Sequence, residues 1–209
     1  MNATAAQASV VATPLVRPVS KRSAPLIERQ EAFTSFPKHY LTTKKFAGDE
    51  ITFRAIQPED EPLLLEFHKT LSDQSVHFRY FGVVSLRQRT LHERLRRHCA
   101  LDHTREFALV ADRKNADSVH QILGVARLFK DPNKDEAEFA ILISDSWQGR
   151  GLGTFLLKLL VGVARESHLH RIIGRILADN RAMVNVSRKA GFSVQFNSSI
   201  SERLAEIQL

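Results

Sequence analysis

Residues 148–154 read Gln-Gly-Arg-Gly-Leu-Gly-Thr, and they connect an apolar, strand-like run at 137–143 to an amphipathic helix. The helix is predicted because apolar residues recur at intervals of three and four from Leu152 to Ala164. A glycine-rich turn ahead of a helix can hold phosphate, since small residues let the backbone approach the anion and the first helical N–H groups point at it. The stretch therefore predicts a phosphorylated cofactor.

The spacing of these glycines argues against two common nucleotide-binding loops. No Lys-Ser or Lys-Thr pair follows them, as a loop for nucleoside triphosphates requires. A dinucleotide loop needs a third glycine where Leu156 stands, and it follows the first strand of its domain, whereas this loop follows the fourth predicted strand. A different phosphorylated cofactor is therefore expected.

Composition and patterning predict one globular domain behind a flexible leader. The chain has 209 residues, 43% of them hydrophobic and 25% charged, and it contains no apolar run of the roughly 20 residues that span a bilayer. Residues 1–46 hold four prolines without sustained periodicity, so we expect a disordered leader there and a compact domain over 47–209. Cys99 is the single cysteine, which excludes an internal disulfide and fits the expected cytoplasmic location.

Positive charge is concentrated in one part of the chain, which has a formal net charge of +7. The six arginines of this part are Arg87, Arg89, Arg94, Arg96, Arg97 and Arg105. Such a patch suits nucleic acid, a phosphorylated cofactor or an acidic protein surface. Nucleic acid is not expected, because no helix-turn-helix spacing and no interleaved aromatic residues accompany the arginines. The histidine pairs at 98/103 and 168/170 lack a second pair at zinc spacing, so no metal is expected.

The order of predicted elements is that of a mixed α/β domain. A first strand is followed by two helices, three strands, the helix after the glycine loop, a strand, a short helix and a final strand. Local signals predict where helices begin and end: Asp60 as an N-cap, a capping box of Ser85 and Gln88, and Asn180 as an N-cap with Gly191 as the C-cap.

Two spacings narrow the cofactor further. Gln148-x-x-Gly151-x-Gly153 resembles the pyrophosphate loop of the GNAT superfamily of acyl-CoA-dependent N-acyltransferases, and Asn180 stands eleven residues ahead of a Gly191-Phe192 pair, as in that family's second motif. The resemblance spans about residues 50–195. It implies an α/β (α+β) GNAT fold, with a mixed, mostly antiparallel sheet of about six to seven strands flanked by about four helices. It also implies acetyl-CoA as the acyl donor.

Four further segments, 54–62, 71–72, 78–81 and 137–140, are similar to the GNAT domain of bacterial protein lysine acetyltransferases of the Pat type. That likeness implies lysine side chains of proteins as acceptors and Glu138 as the general base. Lysine has a pKa of about 10.4, so a carboxylate is needed to take the proton of its amine at neutral pH. Glu138 interrupts an apolar strand and shares a face with Ala140 and Leu142 at a period of two. The alternative is a glutamate that faces solvent or pairs with an arginine.

The resemblance also implies how the cofactor is held. Backbone N–H groups near 141–143 polarise the thioester carbonyl, the glycine loop holds the pyrophosphate and Asn180 contacts the pantetheine. The implied cofactor-binding residues are Ile141, Leu142, Ile143, Gln148, Gly149, Arg150, Gly151, Leu152, Gly153, Thr154 and Asn180. Many family members carry a tyrosine that protonates the leaving thiolate, and Ser187, a weaker acid, occupies that position here.

The leading hypothesis is therefore an acetyl-CoA-dependent acetyltransferase that modifies protein lysines. Two alternatives remain open. One is an enzyme that acetylates a small amine or a protein N-terminus. The other is a non-catalytic module that senses acyl-CoA and contacts a partner.

Overall fold

The structure is a computed structural model that describes residues 41–115, 117–197 and 201–209. Within these ranges, the strands are β1 Thr42–Phe46, β2 Asp49–Ala55, β3 Glu106–Lys114, β4 His120–Lys130, β5 Glu136–Ile143, β6 Arg171–Leu177, β7 Ser193–Asn197 and β8 Glu202–Gln208. The helices are α1 Glu61–Lys69, α2 Asp73–Tyr80, α3 Leu86–Arg89, α4 His92–Cys99, α5 Leu152–Glu166 and α6 Arg181–Lys189. None of these helices is long and apolar enough to cross a bilayer.

The strands form one sheet in the order β1-β2-β3-β4-β5-β6-β8-β7. Neighbouring strands pair antiparallel except for β5 and β6, which are parallel. The mixed, mostly antiparallel sheet predicted from sequence is thus confirmed. Over the described residues, its eight strands and six helices exceed the six to seven strands and four helices that were expected.

The extra elements come from three places. β1 pairs with β2 from Thr42 opposite Phe53, so the folded domain begins by Thr42 and not at Ala47. The first helix expected before β3 ends at Lys69, and an additional helix, α2, follows because the hydroxyl of Ser72 accepts a hydrogen bond from the Ser75 N–H at 3.2 Å. The second expected helix is divided into α3 and α4. The expected final strand is a hairpin of β7 and β8. The rest of the expected leader, 1–40, lies outside the described residues.

The sheet is covered on both faces. α5 and α6 pack on one face, where Leu156, Leu157 and Leu160 of α5 are fully buried, and α1, α2 and α4 pack on the other. β5 alternates between these two cores, since Phe139 belongs to the α5 side and Leu142 contacts the other side. The predicted period of two along β5 is confirmed.

β5 and β6 separate part of the way along the sheet. They pair at only three positions, the last of which is Glu138 opposite Ile173. β5 nevertheless stays paired with β4 as far as Ile143. The ring of Phe139 fills the point of separation, where a Cβ on Gly174 would lie 2.2 Å from that ring. The separation leaves a wedge-shaped gap in the sheet, and it begins at Glu138.

Candidate active site

A cleft of about 380 Å³ occupies the gap between β5 and β6. The sequence-predicted site residues that line it are Glu138, Ile141, Leu142, Ile143, Gln148, Gly149, Gly151, Gly153, Thr154 and Asn180. Arg150, Leu152 and Ser187 do not line it. The structure also adds wall residues that were not predicted as site residues: Gln74, Ser75, Phe78, Arg79 and Phe81 from α2 and its end, and Arg175 from β6. The quoted likeness at 78–81 was the available signal for this part of the wall.

The glycine loop presents backbone N–H groups to one end of the cleft. Gly149 and Gly151 have φ values of +74° and +89°, a left-handed conformation that costs other residues about 1–2 kcal/mol. The first hydrogen bond of α5 runs from the Phe155 N–H to the Gly151 carbonyl at 3.1 Å. The N–H groups of Leu152, Gly153 and Thr154 therefore precede the helical ladder and suit an anion.

Two residues of the loop contribute no side chain to the cleft. Leu152 is 1% exposed and belongs to the α5-side core, so only its backbone faces the loop end. The guanidinium of Arg150 lies over the ring of Trp147, 4.7 Å from its centroid. The loop thus offers an anion mainly main-chain donors.

Gln148 ties this loop to α2. Its side-chain amide donates to the Ser75 hydroxyl at 2.9 Å and to the Ile143 carbonyl at 3.2 Å. Asp145, which precedes the loop, accepts from the Ser75 hydroxyl at 2.8 Å and from the Ser72 N–H at 3.2 Å. These bonds connect the phosphate end of the cleft to the helix that forms its opposite wall.

Glu138 occupies the position where the two strands part. Its carboxylate is half-buried and forms a long ion pair with Arg175, whose Nε lies 3.5 Å from Oε1. Since Glu138 and Arg175 are 40% and 55% exposed, this long ion pair contributes little to stability. The carboxylate lines the cleft and remains able to accept a proton from a bound group.

Asn180 precedes α6 and Ser187 lies within it, but only Asn180 lines the cleft. The Asn180 side-chain oxygen accepts from the Met183 N–H at 3.0 Å and caps α6, while its amide N–H donors are left for the cleft. Ser187 is fully buried, and its hydroxyl has no partner among the described residues. The helical period turns Ser187 inward with Val184, away from the cleft. Its position gives no support to an acid role.

The α2 side of the cleft adjoins a second cavity of about 30 Å³ that shares Arg79, Ala140 and Leu142 with it. His68 and His98 line this cavity. Burial, followed by the charge of Arg89, lowers the pKa of His68 to about 4. Burial, followed by the charge of Arg127, lowers the pKa of His98 to about 3. Both rings are neutral at pH 7, so the positive charge here comes from arginines.

Metal ligation has no candidate in the part of the chain that the structure describes, since no three His, Cys, Asp or Glu side chains cluster there. What the site does offer is a main-chain anion cradle, a strand edge without a partner and a carboxylate between them.

Comparisons with known proteins agree with this arrangement. The acetyltransferase (GNAT) domain family matches residues 50–193. Acetyltransferase PA5475 of Pseudomonas aeruginosa is 26% identical over 164 residues, which are 78% of this chain and 86% of that protein. Acetyltransferase Pat of Mycolicibacterium smegmatis is 37% identical over 59 residues, 28% of this chain but only 18% of that protein.

Among solved structures, the GNAT domain of S. lividans PAT superposes with a TM-score of 0.72 at 24% identity, covering 84% of this chain and 100% of that one. This likeness shows the shared fold, and the family match spans more than half of the chain. The chain belongs to the GNAT acetyltransferases and is an acyl-CoA-dependent N-acetyltransferase.

Proposed function

We propose that this protein transfers an acetyl group from acetyl-CoA to lysine side chains of proteins, with Glu138 as the general base. The observation that carries the proposal is the position of the Glu138 carboxylate, which lines the cleft where β5 and β6 part. A protein acceptor is supported by the similarity to the acetyltransferase Pat and to the PAT domain fold.

The cleft fits the acyl donor at both of its ends. The N–H groups of residues 152–154 would hold the pyrophosphate, and the Asn180 amide would contact the pantetheine. β5 no longer pairs with β6 beyond Glu138. Ile141, Leu142 and Ile143 therefore line the cleft along an unpaired edge of β5. An extended pantetheine arm could add to such an edge.

Acetyl-CoA supplies an activated thioester, so the protein has to deprotonate the amine and position it. Lysine is almost fully protonated at pH 7, and Glu138 would accept that proton as the nitrogen attacks. The described cleft wall contains no tyrosine, and Ser187 is buried away from it. We therefore infer that the thiolate leaves without an acid from the protein.

Replacing Glu138 by glutamine tests the base. We expect kcat at pH 7 to fall by about 10²- to 10⁴-fold with little change in the KM for acetyl-CoA, measured as CoA release with a lysine peptide. The loss should shrink at high pH, where the amine deprotonates by itself. Glu136→Gln is the matched control, since Glu136 lies on the same strand but pairs with Arg171 at 2.8 Å. Wild-type turnover by Glu138→Gln at pH 7 would rule this base out.

The acceptor class needs a separate measurement. The enzyme is incubated with labelled acetyl-CoA and either a protein lysate or a panel of small amines, and acetylated positions are mapped by mass spectrometry. Label on internal lysines supports the proposal. Label confined to N-termini or small amines would overturn the protein lysine assignment, and tight acetyl-CoA binding without any transfer would indicate a sensor.

A further inference from the structure

Arg79 places a positive charge without an ion-pair partner among the described residues in the α2 wall of the cleft. Its guanidinium is half-buried and lines both the cleft and the adjoining cavity. No residue in the described ranges accepts a hydrogen bond from it or forms an ion pair with it. The guanidinium lies over the Tyr80 ring, 5.1 Å from the centroid. Burial lowers the pKa of this guanidinium, and the nearby Tyr80 and Glu138 offset only part of that shift.

A second arginine next to it is also short of partners. Arg94 on α4 lies over the same Tyr80 ring at 5.3 Å, and its Nε is buried without an acceptor among the described residues. Neighbouring arginines are satisfied, because Arg127 donates to Glu106 and to the His98 carbonyl at 2.7 Å, and Arg89 donates to the His68 carbonyl at 3.1 Å. Of the two, Arg79 lines both the cleft and the cavity, and Arg94 lies behind it across the Tyr80 ring.

The surrounding acids compensate this pair only in part, since Glu138 opposes the lowering of the Arg79 pKa without forming an ion pair with it. Glu106 is occupied by Arg127, and Glu138 is 3.5 Å from Arg175 on the other side of the cleft. An unpaired charge is costly to desolvate and is ordinarily compensated by a partner or a ligand. A carboxylate matches the planar donor fork of arginine best.

Arg79 lies further along α2 than the residue that contacts the glycine loop, so its charge is separated from the proposed phosphate site. Ser75 contacts the glycine loop through Gln148, and Arg79 lies one helical turn further along, about 6 Å away. Arg79 also lines the second cavity, which includes Ala140 of β5 and none of the glycine-loop residues. The charge therefore faces the region where the acceptor would approach Glu138.

We propose that Arg79, with Arg94 behind it, forms a subsite for a carboxylate that the acceptor carries close to its reactive amine. The inference rests on the proposed acetyl transfer and specifies its substrate. In a protein acceptor the carboxylate is an aspartate or glutamate beside the lysine, and in a small acceptor it is the carboxylate of an amino acid.

The test uses three peptides with one lysine each, flanked by glutamate, glutamine or arginine. For the wild type we expect kcat/KM to be at least about 10-fold higher for the glutamate peptide than for the glutamine peptide, in line with one charged hydrogen bond. Arg79→Gln should raise the KM of the glutamate peptide about 10-fold and leave the glutamine peptide unchanged. L-lysine and L-lysinamide are compared in the same way, because they differ only in the α-carboxylate. If kcat/KM differs between these two but not among the peptides, the subsite binds the carboxylate of a free amino acid.

Arg96→Gln is the matched control, because it removes the same charge from an exposed position on α4. At 0.15 M salt it should leave the preference intact, since screening weakens distant surface charges. Equal rates for all three peptides and for both lysine forms would overturn the subsite while leaving lysine acetylation intact. A uniform loss of kcat in Arg79→Gln would also overturn it and assign Arg79 to the support of Glu138.

Peptide binding gives a readout that does not depend on turnover. The Kd of the glutamate and glutamine peptides is measured by titration in the presence of CoA, for the wild type and for Arg79→Gln. A glutamate preference of about 10-fold that disappears in the variant supports the subsite even if no acetyl transfer occurs. Equal Kd values in the wild type would overturn it. Thermal unfolding verifies that Arg79→Gln is folded, and it should be no less stable because it loses an unpaired half-buried charge.

Discussion

On the α5 side of the cleft an anion would meet backbone N–H groups, whereas on the α2 side it would meet arginine side chains. The donors of residues 152–154 follow from the start of a helix and carry no net charge. Arg79 and Arg94 carry full charges, and no described residue accepts hydrogen bonds from Arg79 or from the buried Arg94 Nε. A helix start can stay without a ligand at little cost, while a half-buried arginine destabilises the protein until an acid binds.

The two sides should therefore respond differently to change. The α5 side depends on backbone conformation at two glycines, and the α1–α4 side depends on the charge state of buried groups. Three perturbations, taken in decreasing order of expected effect, would test this contrast.

Mild acid should destabilise the α1–α4 side first. His68 has a folded pKa of about 4, well below the ordinary 6.5, because of burial and then Arg89. Between pH 6.5 and 4 the unfolded chain binds a proton that the folded chain does not. Stability that is fully present above pH 6.5 is thus lost towards pH 4, by about 3 kcal/mol for this histidine. Urea unfolding at a series of pH values measures the slope.

His68→Gln should reduce that slope but not abolish it, because His98 has a similarly lowered pKa and contributes as well. His77→Gln, at an exposed position on α2, should leave the slope unchanged. Hydrogen exchange at pH 5 locates the effect, and amides of α1 and α4 should open before those of α5. An unchanged slope in His68→Gln, or earlier opening of α5, would contradict the contrast between the two sides.

Two glycines on the α5 side should respond in opposite directions. Gly151→Ala should cost about 1–2 kcal/mol of unfolding free energy, since φ is +89° although the nearest atom to a new Cβ is 3.9 Å away. Gly153→Ala, inside α5 with contacts at 3.7 Å, should add up to about 1 kcal/mol. Gly153→Ala should nevertheless weaken acetyl-CoA binding, because Gly153 lines the cleft. Wild-type affinity in that variant, measured by titration, would show that phosphate does not approach there.

The hydrogen bonds of Asp145 connect the two sides of the cleft, and we expect their loss to have the smallest effect on stability. Asp145→Asn weakens the bonds to Ser72 and Ser75 at the start of α2 and should cost about 0.5–1.5 kcal/mol. Thermal unfolding should shift down by roughly 2–4 °C per kcal/mol for a chain of this length. Asp179→Asn, at an exposed site, is the charge-matched control. A double-mutant cycle with Ser75→Ala that shows additivity would mean that the two side chains are not coupled.

Short-range features were predictable from sequence. Ser85 and Gln88 form the expected capping box, Asn180 caps α6, and Gly191 has a φ of +99° after that helix. Each depends on bonds between residues at most five positions apart, so the local sequence is sufficient to specify it.

Asp60 shows where such local reasoning is insufficient. It precedes α1 as expected, but its side chain makes no cap bond to that helix. Both carboxylate oxygens accept from Arg54 at 2.7 Å, and one accepts from the Gln57 N–H at 2.8 Å. A buried bidentate arginine is a stronger partner than one backbone N–H, and only the packing of β2 against this turn brings it close.

The anion cradle is predictable from the sequence, because glycine spacing, positive φ and helix start are all set within 148–155. So is the face of β5 that carries Glu138, since the period of a strand is two. The separation of β5 and β6 at Glu138, and the position of Arg79 in the wall of the same cleft, follow only from the packed fold. Strand register and helix docking are fixed by packing between residues far apart in the chain, where local preference has no influence.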